Sequence, residues 1–132
     1  MKYMLTLIGP EGGWEDTTPE QMKAELDRWS AYSQELVDAG AFIAGEGLQE
    51  SATATTVRIA DDGERLVTDG PFAETKEQLG GFYLIECRDL DEALEWAMKV
   101  PASGGGIEVR PVRDYSQFGN EDPTAAAAEA SS

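Results

Sequence analysis

A chain of 132 residues has room for one ordinary domain, and its 41% apolar and 27% charged residues are enough for a real core. It carries 10 Lys and Arg against 26 Asp and Glu, with no histidine, for a net charge of −16. That balance repels nucleic-acid phosphates and anionic membrane surfaces; its plain use is solubility.

Lys2 to Ile8 reads as a first strand, ended by Gly9-Pro10. Its apolar run is too short for a signal peptide, and no stretch approaches the roughly 20 apolar residues of a membrane span. The single Cys87 cannot form an internal disulfide and sits in an apolar run, which suits a buried thiol in a reducing compartment. A cytoplasmic location is therefore expected.

After a polar loop interrupted by Trp14, the first helix announces itself at Thr18-Pro19. Thr18 is a good N-cap, Pro19 fits the first helical position, and Gln21 completes a capping box. Met22, Leu26, Trp29 and Leu36 recur at helical spacing, and Gly40 supplies the stop. Ala41 to Leu48 reads as a strand made irregular by Gly45 and Gly47. Thr53 to Ala60 then pairs with Arg65 to Thr68 across Asp61-Asp62-Gly63 as a hairpin. Gly80 to Cys87 is a strong strand. Asp89 caps a second helix with Glu92 closing its box and Leu90, Ala93, Leu94 and Ala97 on one face; Gly106 to Val112 is the last strand. Residues 1–115 form the expected domain. After Tyr115 the apolar pattern fades, and Asn120 to Ser132 is Ala-, Glu- and Ser-rich without core residues, so 116–132 is expected to be a disordered acidic, Ala-rich tail.

This order is an α+β, ferredoxin-like βαββαβ arrangement with an extra hairpin between its halves. Such a topology puts the first and third core strands at the centre, where both faces should be apolar. Tyr3, Leu5 and Leu7 against Met4, Thr6 and Ile8 come close to that demand, as do Tyr83, Ile85 and Cys87 against Phe82, Leu84 and Glu86. Two helices cover only one face of the sheet, so the other is expected to be covered by a second copy, giving a homodimer.

The chemistry-bearing segment runs from Thr68 to Gly81. Asp69-Gly70-Pro71 fixes a sharp turn, Phe72 is expected to anchor it in the core, and Glu74, Lys76 and Glu77 follow. This reads either as an anchored turn with solvated charges or as a rigid loop that contacts a small molecule through Asp69, Gly70, Pro71, Phe72, Glu74 and Lys76. Glu46 in Gly45-Glu46-Gly47, Asp69 and Arg110 are expected to converge at the sheet end. There Asp69 and Glu46 have the residue types for acid and base work, while plain pairing of Glu46 or Glu108 with Arg110 is the structural alternative. With no histidine and one buried cysteine, zinc sites and Ser–His or Cys–His catalysis are excluded; no oxygen-ligand loop for a hard cation is visible, and no cofactor is expected. Gly104 to Gly106 precede a strand, so they are no phosphate loop.

The stretch TDGPFAETKEQLGGFYLIE, with MKYMLTLIG, AGEGLQESATATTVR, DLDEALEWA and IEVRPV, resembles the DGPF branch of the YCII-related proteins over Met1 to about Val112. The resemblance implies a ferredoxin-like fold forming a dimeric α/β barrel, an undefined activity, and a possible regulatory link to an extracytoplasmic-function sigma factor. It also implies a His–Asp pair in some members, which a chain without histidine cannot form. Three functions stay open: a small-ligand-binding or accessory protein, a histidine-independent enzyme using Asp69 or Glu46, and a dimer that binds another protein.

Overall fold

The computed structural model describes residues 1–12 and 15–119. Among these, the elements are β1 (Lys2–Pro10), α1 (Pro19–Asp38), β2 (Phe42–Gly47), β3 (Thr55–Ile59), β4 (Arg65–Asp69), β5 (Glu77–Glu86), α2 (Leu90–Met98) and β6 (Gly106–Pro111). Trp14 and the stretch 120–132, which holds most of the expected tail, lie outside the described residues. A 3-10 turn over Tyr115–Phe118 is capped by the Asp114 carboxylate, which accepts from the Ser116 amide. No helix among the described residues is long and apolar enough to cross a membrane.

Four strands form one antiparallel sheet in the order β2-β5-β1-β6, while among the described residues β3 and β4 pair only with each other. The architecture is α+β and compatible with the ferredoxin-like topology. β1 and β5 occupy the centre, as their two-sided apolar pattern requires. Tyr3 and Leu5 of β1 and Tyr83 and Ile85 of β5 are buried, and meet Tyr32 and Leu36 of α1 and Ala93 of α2 in one core. On the opposite face, Met4 lies in register between Leu84 and Arg110, and Thr6 between Phe82 and Glu108. Residues there are half-buried or exposed.

The start of α1 follows its sequence closely. The Gln21 amide donates to Thr18 Oγ1 at 3.1 Å, and the Thr18 amide donates to Gln21 Oε1 at 3.0 Å, satisfying two of the orphan amides of the first turn. Its packing stripe differs from expectation. Tyr32 and Leu36 are buried and Trp29 is half-buried, but Leu26 is 56% exposed. Only the C-terminal half of α1 is packed into the core, so Leu26, on the first half, borders a cleft.

α2 departs in the same manner. Ala93 is fully buried and Trp96 and Ala97 pack against the core, whereas Leu90 and Leu94 are exposed. A nine-residue helix buries a narrow stripe, and the small Ala93 permits close approach to the sheet. The Asp89 carboxylate caps the Glu92 amide at 3.0 Å, but the Glu92 carboxylate accepts from the Arg88 amide and side chain, one residue earlier than a capping box demands.

Candidate functional site

A cleft of about 740 Å³ opens where the first half of α1 leaves the sheet. Its floor is the end of the sheet: Leu7 and Ile8 of β1, Phe82 and Tyr83 of β5, and Ile107 of β6. Trp29 and Ser33 of α1 supply one wall, Phe42, Gly45 and Glu46 of β2 another, and the loop Ala102 to Gly104 a third.

Tyr83 is the residue around which this wall is built. Its hydroxyl shares a 3.0 Å hydrogen bond with that of Ser33, joining the sheet to α1. Its ring meets Tyr32 and Phe42 edge to face, with centroids 5.2 and 6.5 Å apart. A Cβ at Gly45 would stand 2.7 Å from the Tyr83 ring, so the glycine that made β2 irregular in sequence is what admits the ring. Trp29 is held from its polar end: its indole N–H donates to Glu25 Oε1 at 3.0 Å. That hydrogen bond, with the neighbouring Arg28 guanidinium, holds the Glu25 carboxyl below its ordinary pKa and keeps it ionised.

The other charged residues that line the cleft are acidic. Glu11 accepts from the Ser51 amide and hydroxyl, both at 2.6 Å, tying the end of β1 to the loop after β2. Glu46 and Glu50 also line the cleft, and their carboxylates make no hydrogen bond or ion pair among the described residues. Among the described residues, no Lys or Arg lines it.

The expected convergence of Glu46, Asp69 and Arg110 does not occur within one chain. Glu46 lines the cleft; Asp69 is exposed at the end of β4 and does not. Arg110 is on β6 and pairs with Glu108 Oε1 at 2.5 Å, an exposed pair beside Met4 and Thr6. Pairing with Glu108, two residues away on the same strand, satisfies Arg110 without any long-range partner. Gly70 takes the positive φ of 101° that the Asp-Gly-Pro turn calls for.

Phe72 does not anchor that turn in the core. It is 72% exposed, with the Arg58 guanidinium 4.8 Å from its ring centre. Arg58 also donates to the Phe72 carbonyl at 2.8 Å, so the loop is fixed to β3. Glu74 and Lys76 are exposed, and none of the residues from Asp69 to Lys76 lines the cleft. Beyond Lys76, Gln78 and Gly80 of β5 line the cleft, and the Gln78 side-chain amide donates to the carbonyls of Ala73 and Thr75 in the loop.

The sequence marks Trp29 and Tyr83 as packing residues and none of Glu25, Trp29, Ser33, Phe42 and Tyr83 as site residues. One signal was available: a Glu four residues before a Trp on a helix whose next turn is buried. Cys87 is buried, and burial, followed by the Glu92 carboxylate, pushes its thiol up to about 11, so it stays protonated and inert at neutral pH. Among the described residues no group of three or more Cys, Asp or Glu is placed to hold a metal ion.

Fold and cleft together define an α+β domain with a preformed recess between its first helix and the end of an antiparallel sheet. The chain belongs to the YCII-related domain family, whose model matches residues 1–116. It is 43% identical over 105 residues to an uncharacterized protein of Rhizobium meliloti (strain 1021), a match covering 77% of this chain and 82% of that protein.

Proposed function

We propose that this chain is a small-molecule-binding protein that works as a homodimer. The observation that carries the binding reading is the cleft itself: about 740 Å³, walled by Trp29, Phe42 and Tyr83, with side chains already fixed by hydrogen bonds and ring contacts. That size and composition match small-ligand sites, which are concave, mainly apolar and largely preformed. Gly47 lines the cleft, and a Cβ there meets nothing within 4 Å. Gly47→Trp should therefore fill the recess while the protein still folds. Native mass spectrometry and amide chemical-shift mapping of a fragment library should find ligands that the variant loses; equal binding by the variant would sink the reading.

The dimer reading rests on the hairpin of β3 and β4. Val57 pairs with Val67 and Thr55 with Asp69, so these four share one face of a ribbon. Val57 and Val67 are 55% and 65% exposed. A two-stranded ribbon alone is marginal in water, and such a face calls for a partner surface. A second copy supplies one in the half-buried sheet face around Met4 and Leu84. On this reading Asp69 lies at the contact between copies, and the sites expected around it belong to that contact. Light scattering of Val67→Lys should give a folded monomer where the parent chain is a dimer; a parent chain that is monomeric at micromolar concentration would end the proposal.

A further inference from the structure

The cleft has a chemical polarity that its volume does not convey, and this inference rests on the small-molecule reading above. Among the described residues, four carboxylates line it, from Glu11, Glu25, Glu46 and Glu50, and no basic side chain does. Two of these charges are already answered inside the protein: Glu25 by Arg28 and the Trp29 indole, Glu11 by the Ser51 amide and hydroxyl. Glu46 and Glu50 have no such partner among the described residues. Trp29, Phe42 and Tyr83 line the same cleft, and aromatic rings attract cations. The chain pairs cations with aromatic rings elsewhere, Arg58 with Phe72 and Lys99 with Trp96.

We propose that the cleft selects organic cations: small molecules with an apolar or aromatic body and an ammonium head. The body packs on Trp29, Phe42 and Tyr83, and the head lies toward Glu46 and Glu50. An anionic ligand of the same shape meets only like charge, inside a field that a net charge of −16 makes more negative. Glu46 and Glu50 are exposed at the rim, so they draw a cation in without the cost of a buried unpaired charge.

The test uses three probes that share a phenyl ring and a two-carbon chain: 2-phenylethylamine, 2-phenylethanol and 3-phenylpropionate. Titration calorimetry on the full chain at physiological salt gives affinity, and amide shift mapping gives place. The amine should bind at least about tenfold more tightly than the alcohol, with shifts at Trp29 and Tyr83, and the acid should not bind measurably. Glu46→Gln should weaken the amine about threefold to tenfold and leave the alcohol unchanged. Glu64→Gln, an exposed acid at the hairpin turn outside the cleft, should change neither.

Equal binding of alcohol and amine, or binding of the acid in the cleft, overturns the cation proposal while leaving the small-molecule reading intact. Equal weakening by Glu64→Gln also overturns it, because attraction would then come from the overall charge. If none of the three probes shifts Trp29 or Tyr83, the proposal fails; whether the small-molecule reading fails too is decided separately by the library screen against Gly47→Trp.

Discussion

The two halves of this chain bury their side chains to very different degrees. In the four-stranded sheet and its helices, Leu5, Leu36 and Ile85 are fully buried; in the β3–β4 hairpin, Val57, Ile59, Leu66 and Val67 are all more than half exposed. Both regions are well-formed β-structure with similar residues. The difference shows that strand-forming sequence secures backbone pairing, while burial depends on whether another layer is present. The sheet has α1 and α2 above it; the hairpin pairs with itself alone. An exposed apolar ribbon carries a risk of aggregation unless something covers it, and that risk is the ground for the dimer proposed above.

The sharpest break of that contrast is a matched pair of truncations. Leu36→Ala removes a fully buried side chain from the core and should cost about 2–5 kcal/mol of unfolding free energy. Leu66→Ala, at 64% exposure on the hairpin, should stay within about 0.5 kcal/mol for the monomer. Urea unfolding measures both. A large loss from Leu66→Ala in a chain shown to be monomeric would mean the hairpin packs on its own domain.

The next contrast holds conformation fixed and changes the surroundings. Gly63 at the hairpin turn and Gly105 before β6 both have positive φ, 87° and 78°. A Cβ at Gly63 meets nothing within 4 Å, so Gly63→Ala should cost only the left-handed penalty, about 1 kcal/mol. At Gly105 a Cβ would stand 2.1 Å from the Ile8 carbonyl oxygen, which forces the backbone of β1 or β6 to move. Gly105→Ala should cost about 1–3 kcal/mol beyond the Gly63 change. It should also disturb the cleft, since Ile8, Gly104 and Gly106 line it. Equal melting temperatures for the two variants would show that the approach at Gly105 is relaxed in solution.

Sequence reading reached the topology because its signals are local and periodic. Thr18, Pro19 and Gln21 mark the start of α1, and the two-sided apolar pattern of β1 and β5 puts them at the sheet centre. It reached less of the cleft because the cleft is made by packing across distance. Ser33 and Tyr83 lie 50 residues apart in the chain and meet through a hydrogen bond. Glu46 was legible as an acid between two glycines, but nothing local distinguishes it from Asp69, which the hairpin carries elsewhere. Phe72 misled for the same reason: an aromatic beside a rigid turn suggests an anchor, yet the nearest cover is the Arg58 side chain on the neighbouring strand.

The smallest effect lies inside the helix-covered region, in the Glu25–Trp29 contact on α1, and it is readable through pH. The Trp29 indole hydrogen bond and, less strongly, Arg28 lower the Glu25 pKa from its ordinary value. A carboxyl whose folded pKa is depressed contributes stability that is fully present above its unfolded pKa and is lost as pH falls through the folded value. Glu25→Gln removes that charge, so the difference in unfolding free energy between parent and variant should be constant near neutral pH. It should then shrink as pH falls below about 4, where model carboxylates protonate. Because the contact is part-exposed, the difference at neutral pH should be under about 1 kcal/mol. Urea titrations of both chains from neutral pH to about pH 3 supply the measurement, with tryptophan fluorescence as the signal. A difference that persists unchanged to the lowest pH would show that Glu25 holds Trp29 by shape alone, leaving the polar wall of the cleft without its charge.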